Sequence, residues 1–325
     1  MISIGIIGGS GFTAGELIRI LINHPKAKIN FVYSTTQAGK NINTIHQDLI
    51  GDISLKFSDK INQNVDVVFL CLGHGNSTTF LETHEFSEQT KIIDLSNDFR
   101  LKASQNYQDK SFAYGLPELD KKKISSAQNI ANPGCFATAI QLSLLPLAHE
   151  KILKEDIHIN AVTGATGAGA SLSKTTHFTW RDNNFSSYKV FTHQHLHEIS
   201  QSITSLQNNF NKEIYLIPNR GNFSRGIFVS AYTSFEGSID EAKRIYENYY
   251  VESAFTKVTD VELHLKQVVN TNYCFIYLSK FKNQLLITCI IDNLLKGASG
   301  QAVQNMNLMF GFEETLGLKL KANYF

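Results

Sequence analysis

The sequence predicts an α/β protein of two domains: an N-terminal domain with a parallel, doubly wound sheet, and an α+β domain with a mixed or antiparallel sheet. The first observation is length, because 325 residues exceed the usual size of one hydrophobic core. The second is that strands and helical patterns alternate in the first part of the chain, as parallel β-α-β units require. The third is that the strand-like runs lie further apart beyond about residue 155.

The N-terminal elements follow in order. The run ISIGII predicts a strand over residues 2–7, and it ends in a glycine-rich turn. A helix is expected next, because Leu17, Ile18, Leu21 and Ile22 recur at helical spacing. Further strands are predicted over 28–33, 66–72 and 91–95.

The second part of the chain begins at a break formed by Asn132, Pro133 and Gly134, after which an apolar helix opens. A hairpin through 280–283 joins two of the strands that follow, and the spacing over 298–310 predicts a final helix. We therefore expect residues 1–134 and 298–325 to form one domain and residues 135–297 the other. The strands predicted for the second domain span 157–163, 213–218, 226–235, 273–279 and 284–292.

Composition excludes several classes of protein. The formal net charge of +1 provides no strong field for nucleic acid or acidic membranes, so neither is expected as a partner. No run approaches the roughly 18 apolar residues of a membrane span, and the N-terminus lacks the pattern of a signal peptide. The cysteines have no metal-ligand spacing, so no metal is predicted and a reducing cytoplasm is the expected location. They are Cys71, Cys135, Cys274 and Cys289.

The first turn has the character of a dinucleotide site, and with it the N-terminal domain is predicted to be of Rossmann type. Glycines between a strand and a helix let the backbone approach a pyrophosphate, and the helix N-terminus offers free N–H groups to it. A simple β-α connection is the alternative. The predicted contacts are Gly8, Ser10, Gly11, Phe12 and Thr13.

The end of the second strand bears on the type of dinucleotide. Tyr33 is followed by Ser34 and Thr35, with no Asp or Glu to bind a ribose 2′-hydroxyl. The absence of an acid leaves room for a 2′-phosphate, so NADP(H) is favoured over NAD and Ser34 and Thr35 are predicted to contact it.

Cys135 is the candidate nucleophile. It follows a Pro-Gly turn and opens a helix, where the positive end of the helix dipole favours a thiolate. The other three cysteines lie within apolar runs, where an inert packed thiol is the simpler interpretation.

At this point the chain resembles the N-acetyl-γ-glutamyl-phosphate reductase family, relatives of aspartate-semialdehyde dehydrogenase. The resemblance extends from residue 5 to residue 308. Its motifs are GGSGFTAGEL, VFLCLGHG, DLSNDFRL, YGLPEL, NPGCFATA, TGATGAGAS, HQHLHEI, RGIF and DNLLKGASGQAVQNMN.

The resemblance implies a cytosolic NADPH-dependent reductase of arginine biosynthesis, commonly a homo-oligomer such as a dimer or tetramer. Cys135 would attack the γ-acyl phosphate of an N-acyl-glutamyl substrate, most simply the N-acetyl one, and the resulting thioester would be reduced to the semialdehyde. His195 is implied as acid/base, with His193 as the supporting or alternative imidazole.

The same resemblance assigns binding roles. Arg100 and Asn132 would hold the phosphate or reacting carbonyl, and Gly164 and Gly167 belong to a loop near the substrate. Further cofactor contacts are implied at Gly73, Gly169 and Asn293.

Departures from the family pattern leave rival hypotheses. Ala170 and Gln194 stand where the family carries arginines, which leaves the acyl group open, and Ala14–Gly15 reverses the family order in the first turn. A related reductase of aspartyl or aminoadipyl phosphate is one alternative, and a non-enzymatic dinucleotide sensor is another. A third is a zinc site on a strand bearing His193, His195 and His197, whose side chains would then share one face.

Overall fold

The computed structural model describes residues 1–324, which form two compact units. The first comprises Met1–Gly134 and Ala298–Lys319, and the second comprises Cys135–Gly297 with residues 320–324. The assignment of residues 320–324 to the first domain is therefore wrong. Asn270 Nδ2 donates to Lys321 O at 3.2 Å and Asn323 N donates to Val269 O at 3.2 Å, which attaches this tail to the second unit. Phe325, included in the same prediction, lies outside the described residues.

The first unit contains an eight-stranded sheet in the order β3-β2-β1-β4-β5-β8-β7-β6. Its neighbouring strands are parallel except for the β6–β7 pair at one edge. The central strand β4 has the sequence VVFL and is wholly buried, as expected of a parallel strand covered on both faces. The strands are β1 (Ile2–Ile7), β2 (Ala27–Tyr33), β3 (Phe57–Ser58), β4 (Val67–Leu70), β5 (Lys91–Asp94), β6 (Asn106–Tyr107), β7 (Lys110–Tyr114) and β8 (Asn129–Ala131).

The strand order reverses at β1, which pairs with β2 on one side and β4 on the other. The crevice outside the carboxyl end of such a strand is where α/β sheets bind ligands. The helices of this unit are α1 (Phe12–Leu21), α2 (Asn76–Thr83), α3 (Pro117–Ser126) and α8 (Gly300–Met309), and α8 is buried along its whole length.

The second unit contains a seven-stranded sheet in the order β10-β11-β9-β12-β15-β14-β13. The β9–β11 and β13–β14 pairs are parallel and the remaining pairs are antiparallel, so the sheet is mixed. The predicted fold class is confirmed for both units. The strands are β9 (Ile157–Thr163), β10 (Ser186–Ser187), β11 (Ile214–Arg220), β12 (Ile227–Ser234), β13 (Thr256–Val258), β14 (Cys274–Phe281) and β15 (Gln284–Ile291).

Helices of the second unit pack on this sheet and on one another. Helix α4 (Cys135–His149) packs on β12 and β15, and it is buried from its second residue to its fourteenth. Tyr246 and Tyr250 belong to helix α7 (Ile239–Tyr250). Their hydroxyl groups donate hydrogen bonds to Ser143 O and Leu142 O of α4, both at 2.5 Å, and so join the two helices. The helices of this unit are α4 (Cys135–His149), α5 (Phe178–Arg181), α6 (His195–Leu206) and α7 (Ile239–Tyr250).

Within residues 1–324, no helix combines the length and the apolar character needed to cross a lipid bilayer.

Candidate active site

The glycine turn of the first unit lies at the carboxyl end of β1, and its backbone leaves no room for side chains. Gly8 has φ +79°, and a Cβ there would stand 2.6 Å from Cys71 O. A Cβ at Gly9 would stand 2.2 Å from Val32 Cγ1. Gly11, the N-cap of α1, has no side-chain cap, so the first-turn N–H groups of α1 have no intrahelical acceptor. Such N–H groups suit an anion such as a pyrophosphate, and the contacts predicted for this turn stay predictions.

His46 explains why glycine follows Ala14 in this turn. A Cβ at Gly15 would stand 2.6 Å from His46 Nδ1. The other ring nitrogen, Nε2, lies 2.8 Å from Gly9 O. His46 therefore braces the turn against the first turn of α1, and the reversed Ala-Gly order accommodates its ring. Sequence reasoning gave no signal for His46.

Other predicted cofactor contacts of the first unit lie at the ends of neighbouring strands. Ser34 follows β2 and is buried, with its Oγ 3.4 Å from Thr36 Oγ1, whereas Thr35 is exposed. Gly73 follows β4, is exposed, and accepts a hydrogen bond from Asn76 N at 3.1 Å. Their contacts with a dinucleotide stay predictions.

Arg100 and Asn132 form part of one buried polar network in the first unit. Arg100 Nε donates to Asn132 O at 2.9 Å, and its Nη2 donates to Leu95 O at 3.0 Å. The Asn132 side chain donates to Ala298 O and accepts from Asn305 Nδ2, both at 3.1 Å. The network fixes the chain just before Pro133, and the phosphate or carbonyl roles of these two residues stay predictions.

Asp98, two residues before Arg100, holds the start of a helix. Its carboxylate accepts from Gly75 N at 2.7 Å and from Thr78 N at 3.0 Å, at the start of α2. Hydrogen bonds of this kind lower the pKa of Asp98 in spite of its partial burial, which acts in the opposite direction.

Cys135 is the first residue of α4, as the sequence predicts, and it is partly exposed. Gly297 makes room beside it, because a Cβ at Gly297 would stand 2.8 Å from Cys135 Cβ. Phe136, the next residue, is buried, so the helix is anchored immediately after the thiol. The arrangement combines a rigid backbone with an accessible sulfur at a helix N-terminus.

Two buried imidazoles pack on Phe136. The rings of His193 and His195 have centroids 5.6 Å and 6.4 Å from the Phe136 ring and 4.5 Å from each other. His193 Nδ1 accepts a hydrogen bond from His195 N at 3.2 Å. Both predicted acid/base candidates therefore lie next to the residue that follows the nucleophile, while His197 is exposed.

Glu198 was not singled out from the sequence. His195 is the first residue of α6, and three residues later the Glu198 carboxylate lies 3.9 Å from His195 Nε2. Both side chains are buried, at 7 % and 3 % exposed. A buried carboxylate beside an imidazole orients the ring and stabilises its charged form. The signal for it was available as the i, i+3 spacing within HLHE.

The zinc hypothesis fails on local structure. His195 and His197 begin a helix rather than lying on a strand, so the three imidazoles do not share one strand face. Among the described residues, no cluster of His, Cys, Asp and Glu has the geometry to hold a metal ion.

Tyr188, also missed, connects this cluster to a cation. Its ring lies 5.8 Å from the His193 ring and 4.6 Å from the Arg220 guanidinium. Burial raises the pKa of Tyr188 to about 12; the nearby Cys135 acts in the same direction, and Arg220 opposes both. The phenol therefore stays protonated at neutral pH and can donate a hydrogen bond.

The glycine-rich loop after β9 is held by the loop that precedes β12. A Cβ at Gly164 would stand 2.4 Å from Ser224 O, and one at Gly167 would stand 3.2 Å from Thr163 Oγ1. Gly169 has φ +80° and open space around it. Asn293 accepts from Gly226 N at 2.7 Å and donates to Thr166 Oγ1 at 3.1 Å, so it links the two loops within the second unit. The substrate and cofactor roles of these residues stay predictions.

A buried ion pair fixes the chain beside Asn293. Asp292 is fully buried and accepts from Arg225 Nε at 3.0 Å and Nη2 at 3.2 Å. Arg225 belongs to the motif RGIF, which was recognised without a role. The ion pair with Asp292 gives Arg225 a structural role.

The other thiols differ from Cys135. Cys274 and Cys289 are buried on neighbouring strands, with their sulfurs 3.4 Å apart. Cys71 is partly exposed like Cys135, but desolvation of its thiol raises its pKa well above its usual range, and the Asp94 carboxylate acts in the same direction. Neither environment favours a nucleophile.

Two family models match the chain, one within each structural unit. Residues 3–127 match the NAD binding domain of semialdehyde dehydrogenases, and residues 135–293 match their dimerisation domain. Among curated proteins, N-acetyl-gamma-glutamyl-phosphate reductases of Christiangramia forsetii and Flavobacterium johnsoniae are 65 % and 59 % identical over 325 residues, with the whole of each chain covered.

Solved structures show the same fold at low identity. Aspartate semialdehyde dehydrogenase II of Vibrio cholerae, complexed with ASA, superposes with a TM-score of 0.70 at 14 % identity, covering 96 % of this chain and 98 % of that one. The enzyme of Candida albicans with NADP gives a TM-score of 0.69 at 12 % identity, covering 95 % and 99 %.

Proposed function

This chain belongs to the N-acetyl-γ-glutamyl-phosphate reductase family of semialdehyde dehydrogenases, and on that premise we propose that it reduces an N-acyl-γ-glutamyl phosphate. The acyl group is acetyl, the products are the glutamate 5-semialdehyde and phosphate, and the reaction belongs to arginine biosynthesis. The observation that carries this is Cys135 at the start of α4, with the buried His193 and His195 packed on the adjacent Phe136.

The first unit fits NADP(H). The glycine turn packs its backbone directly against the sheet, because Cβ atoms at Gly8 and Gly9 would collide with it, and α1 begins there with uncapped N–H groups that suit a pyrophosphate. Ser34 and Thr35 follow β2 without an acid, which suits a 2′-phosphate. When bound, NADPH supplies a hydride for reduction of the acyl carbon.

Cys135 carries the covalent step. Its thiolate attacks the γ-carbonyl carbon, and the bond from that carbon to the phosphate oxygen breaks. Phosphate departs, and the acyl group remains on the Cys135 sulfur as a thioester. His195 accepts the thiol proton, and Glu198 stabilises the imidazolium so formed, 3.9 Å away. After reduction of the acyl carbon, the carbonyl re-forms and the Cys135 thiolate is expelled. The His195 imidazolium then returns its proton to that thiolate. Tyr188 supplies a protonated phenol that packs against His193.

The reverse reaction tests this assignment. The enzyme is given N-acetylglutamate 5-semialdehyde, phosphate and NADP⁺, and NADPH absorbance is followed. Cys135→Ser is expected to lower the rate by about 1,000-fold or more, because a hydroxyl is a far poorer nucleophile at neutral pH. Cys289→Ala, which removes a thiol buried in β15, is the matched control and retains activity.

Two results would contradict the proposal. A near-normal rate for Cys135→Ser would remove the nucleophile from the mechanism. Turnover of aspartate semialdehyde in preference to the acetylated substrate would reassign the enzyme to a related reductase.

We also propose that the enzyme works in the cytoplasm as a homo-oligomer. The matched family model is a dimerisation domain, and the second unit has a partly exposed sheet face. On that face the His158 ring stacks on Tyr215 at 5.3 Å and on Tyr232 at 5.0 Å. Light scattering after size exclusion is expected to give a multiple of 36.4 kDa, and a monomer at micromolar concentration would contradict it.

A further inference from the structure

Two arginines of the second unit, Arg181 and Arg220, are joined by a hydrogen bond from the Arg181 side chain to the Arg220 backbone. Arg181 is 6 % exposed, and all its acceptors are neutral. They are Thr175 O, Asn184 O, Arg220 O and Ser186 Oγ. Burial lowers the pKa of Arg181, and the charge of Arg220 acts in the same direction. Within residues 1–324, neither arginine forms an ion pair with an acid.

Arg220 retains hydrogen-bonding capacity. It is the last residue of β11, and Arg181 Nη1 holds its backbone oxygen at 2.8 Å. Its Nε is buried, and among the described residues no atom accepts a hydrogen bond from it. An unsatisfied N–H on a cation beside a second buried cation is costly unless an anion completes the site.

The position of this pair points to the substrate. The Arg220 guanidinium lies 4.6 Å from the centre of the Tyr188 ring. Tyr188 in turn packs on His193, whose ring centroid is 5.8 Å away, and His193 packs on Phe136, the residue after Cys135, at 5.6 Å. One aromatic ring therefore separates the Arg220 guanidinium from the imidazole pair that packs beside the nucleophile.

We propose that Arg220, positioned by Arg181, binds the α-carboxylate of the glutamyl substrate. The inference rests on the proposed function, because it takes the substrate from it. The substrate has two anionic ends: the phosphate is attached to the carbon that sulfur attacks, and the α-carboxylate lies at the other end of the glutamyl chain. A site separated from the imidazole pair by the Tyr188 ring suits the distant end. The planar fork of arginine also matches the geometry of a carboxylate.

The test compares two aldehydes that differ only in the carboxylate. N-acetylglutamate 5-semialdehyde carries it, and 4-acetamidobutanal has hydrogen in its place. Both are assayed with phosphate and NADP⁺ on the wild type, Arg220→Gln, Arg220→Lys and Arg244→Gln. Arg244 is an exposed arginine of α7 and serves as the matched control.

We expect the wild type to prefer the carboxylated substrate by about 100-fold in kcat/KM, as loss of a buried charge pair typically costs. Arg220→Gln is expected to abolish most of that preference by lowering kcat/KM for the carboxylated aldehyde alone. Arg220→Lys retains part of the preference, and Arg244→Gln retains all of it. The KM for phosphate stays unchanged in each variant.

Three results would overturn the proposal. Equal losses for both aldehydes in Arg220→Gln would make the residue structural. A raised KM for phosphate would make the site a phosphate site. Equal use of the two aldehydes by the wild type would leave no carboxylate site, and this comparison decides even if Arg220→Gln fails to fold.

A binding measurement separates this inference from the proposed reaction. N-acetyl-L-glutamate is expected to protect Cys135 from iodoacetamide, whereas 4-acetamidobutanoate, which lacks the α-carboxylate, is not. Loss of this protection in Arg220→Gln supports the carboxylate site even if no semialdehyde is turned over. Equal protection by both compounds refutes the site while leaving the catalytic assignment intact.

Discussion

Asp292→Asn tests how strongly one buried carboxylate stabilises the second unit. The Asp292 side chain accepts five hydrogen bonds, two from Arg225 and one each from Asn270 N, Leu294 N and Leu295 N. Asparagine has the same shape, but its NH₂ group would face N–H donors where an oxygen stood. The substitution therefore removes the negative charge that pairs with Arg225. It also places the NH₂ group of asparagine against N–H groups that need an acceptor.

The expected magnitude follows from burial. Breaking a buried ion pair by removing one partner costs about 3–5 kcal/mol. The Asp292 side chain is fully buried, but that of Arg225 is 17 % exposed and can reach water. We therefore expect the lower end of the range, a loss of about 3 kcal/mol in the free energy of unfolding.

The chain offers both a probe and a control. Trp180 is the single tryptophan and belongs to the second unit, so its fluorescence during urea unfolding reports on that unit. Asp260→Asn is the matched control, because Asp260 also pairs with a cation, Lys243, but is 80 % exposed. Its loss should stay below about 1 kcal/mol. Equal losses in the two variants would refute the argument from burial.

Three further predictions concern the first unit and the thiols. Gly8→Ala is expected to raise the Kd for NADPH at least about 10-fold in a fluorescence titration. The reason is that φ at Gly8 is +79° and a Cβ there would stand 2.6 Å from Cys71 O. Unchanged affinity would contradict the role of this turn in binding NADPH. Iodoacetamide at pH 7–9 is expected to label Cys135 and spare Cys71, because desolvation and the Asp94 carboxylate raise the pKa of the Cys71 thiol although both cysteines are partly exposed, and mass spectrometry of the peptides decides. Burial raises the pKa of Asp94 to about 6, above its unfolded value, so folding takes up a proton there. Relative to Asp94→Asn, the wild type should therefore gain stability as the pH falls from 7 to 5, measured by circular dichroism in urea, and a relative loss would reverse the sign of the argument.

The fold was predictable where elements are long enough to show a period. The helix carrying Leu17 and Leu21 and the apolar strand β4 were found from their patterns. Strands of two residues, such as β3 and β10, carry no periodicity and form only because a neighbouring strand is available. Helix α7 was missed although Ser238 caps it and its buried residues recur every four positions.

The site was predictable only as far as local sequence defines it. Cys135 was identifiable from the turn before it and the helix after it, and Glu198 could have been found from its distance along α6. Arg220 could not, because its closeness to Tyr188 depends on how β11 packs in the second unit. The zinc hypothesis failed because the spacing of its three histidines fits a strand, whereas the backbone there turns into a helix at His195.

The discontinuity of the first unit has a consequence for biosynthesis on the ribosome. Helix α8 is wholly buried in that unit, where Asn305 donates to Gly115 O at 2.8 Å and to Asn132 Oδ1 at 3.1 Å. Ser299 reaches Thr13 O at 2.8 Å. The N-terminal domain is thus translated first but lacks part of its core until the C-terminal helix emerges. The second unit is nearly continuous in sequence, so all of it except a terminal tail has been synthesised before α8. The nascent chain can therefore complete its second domain before its first.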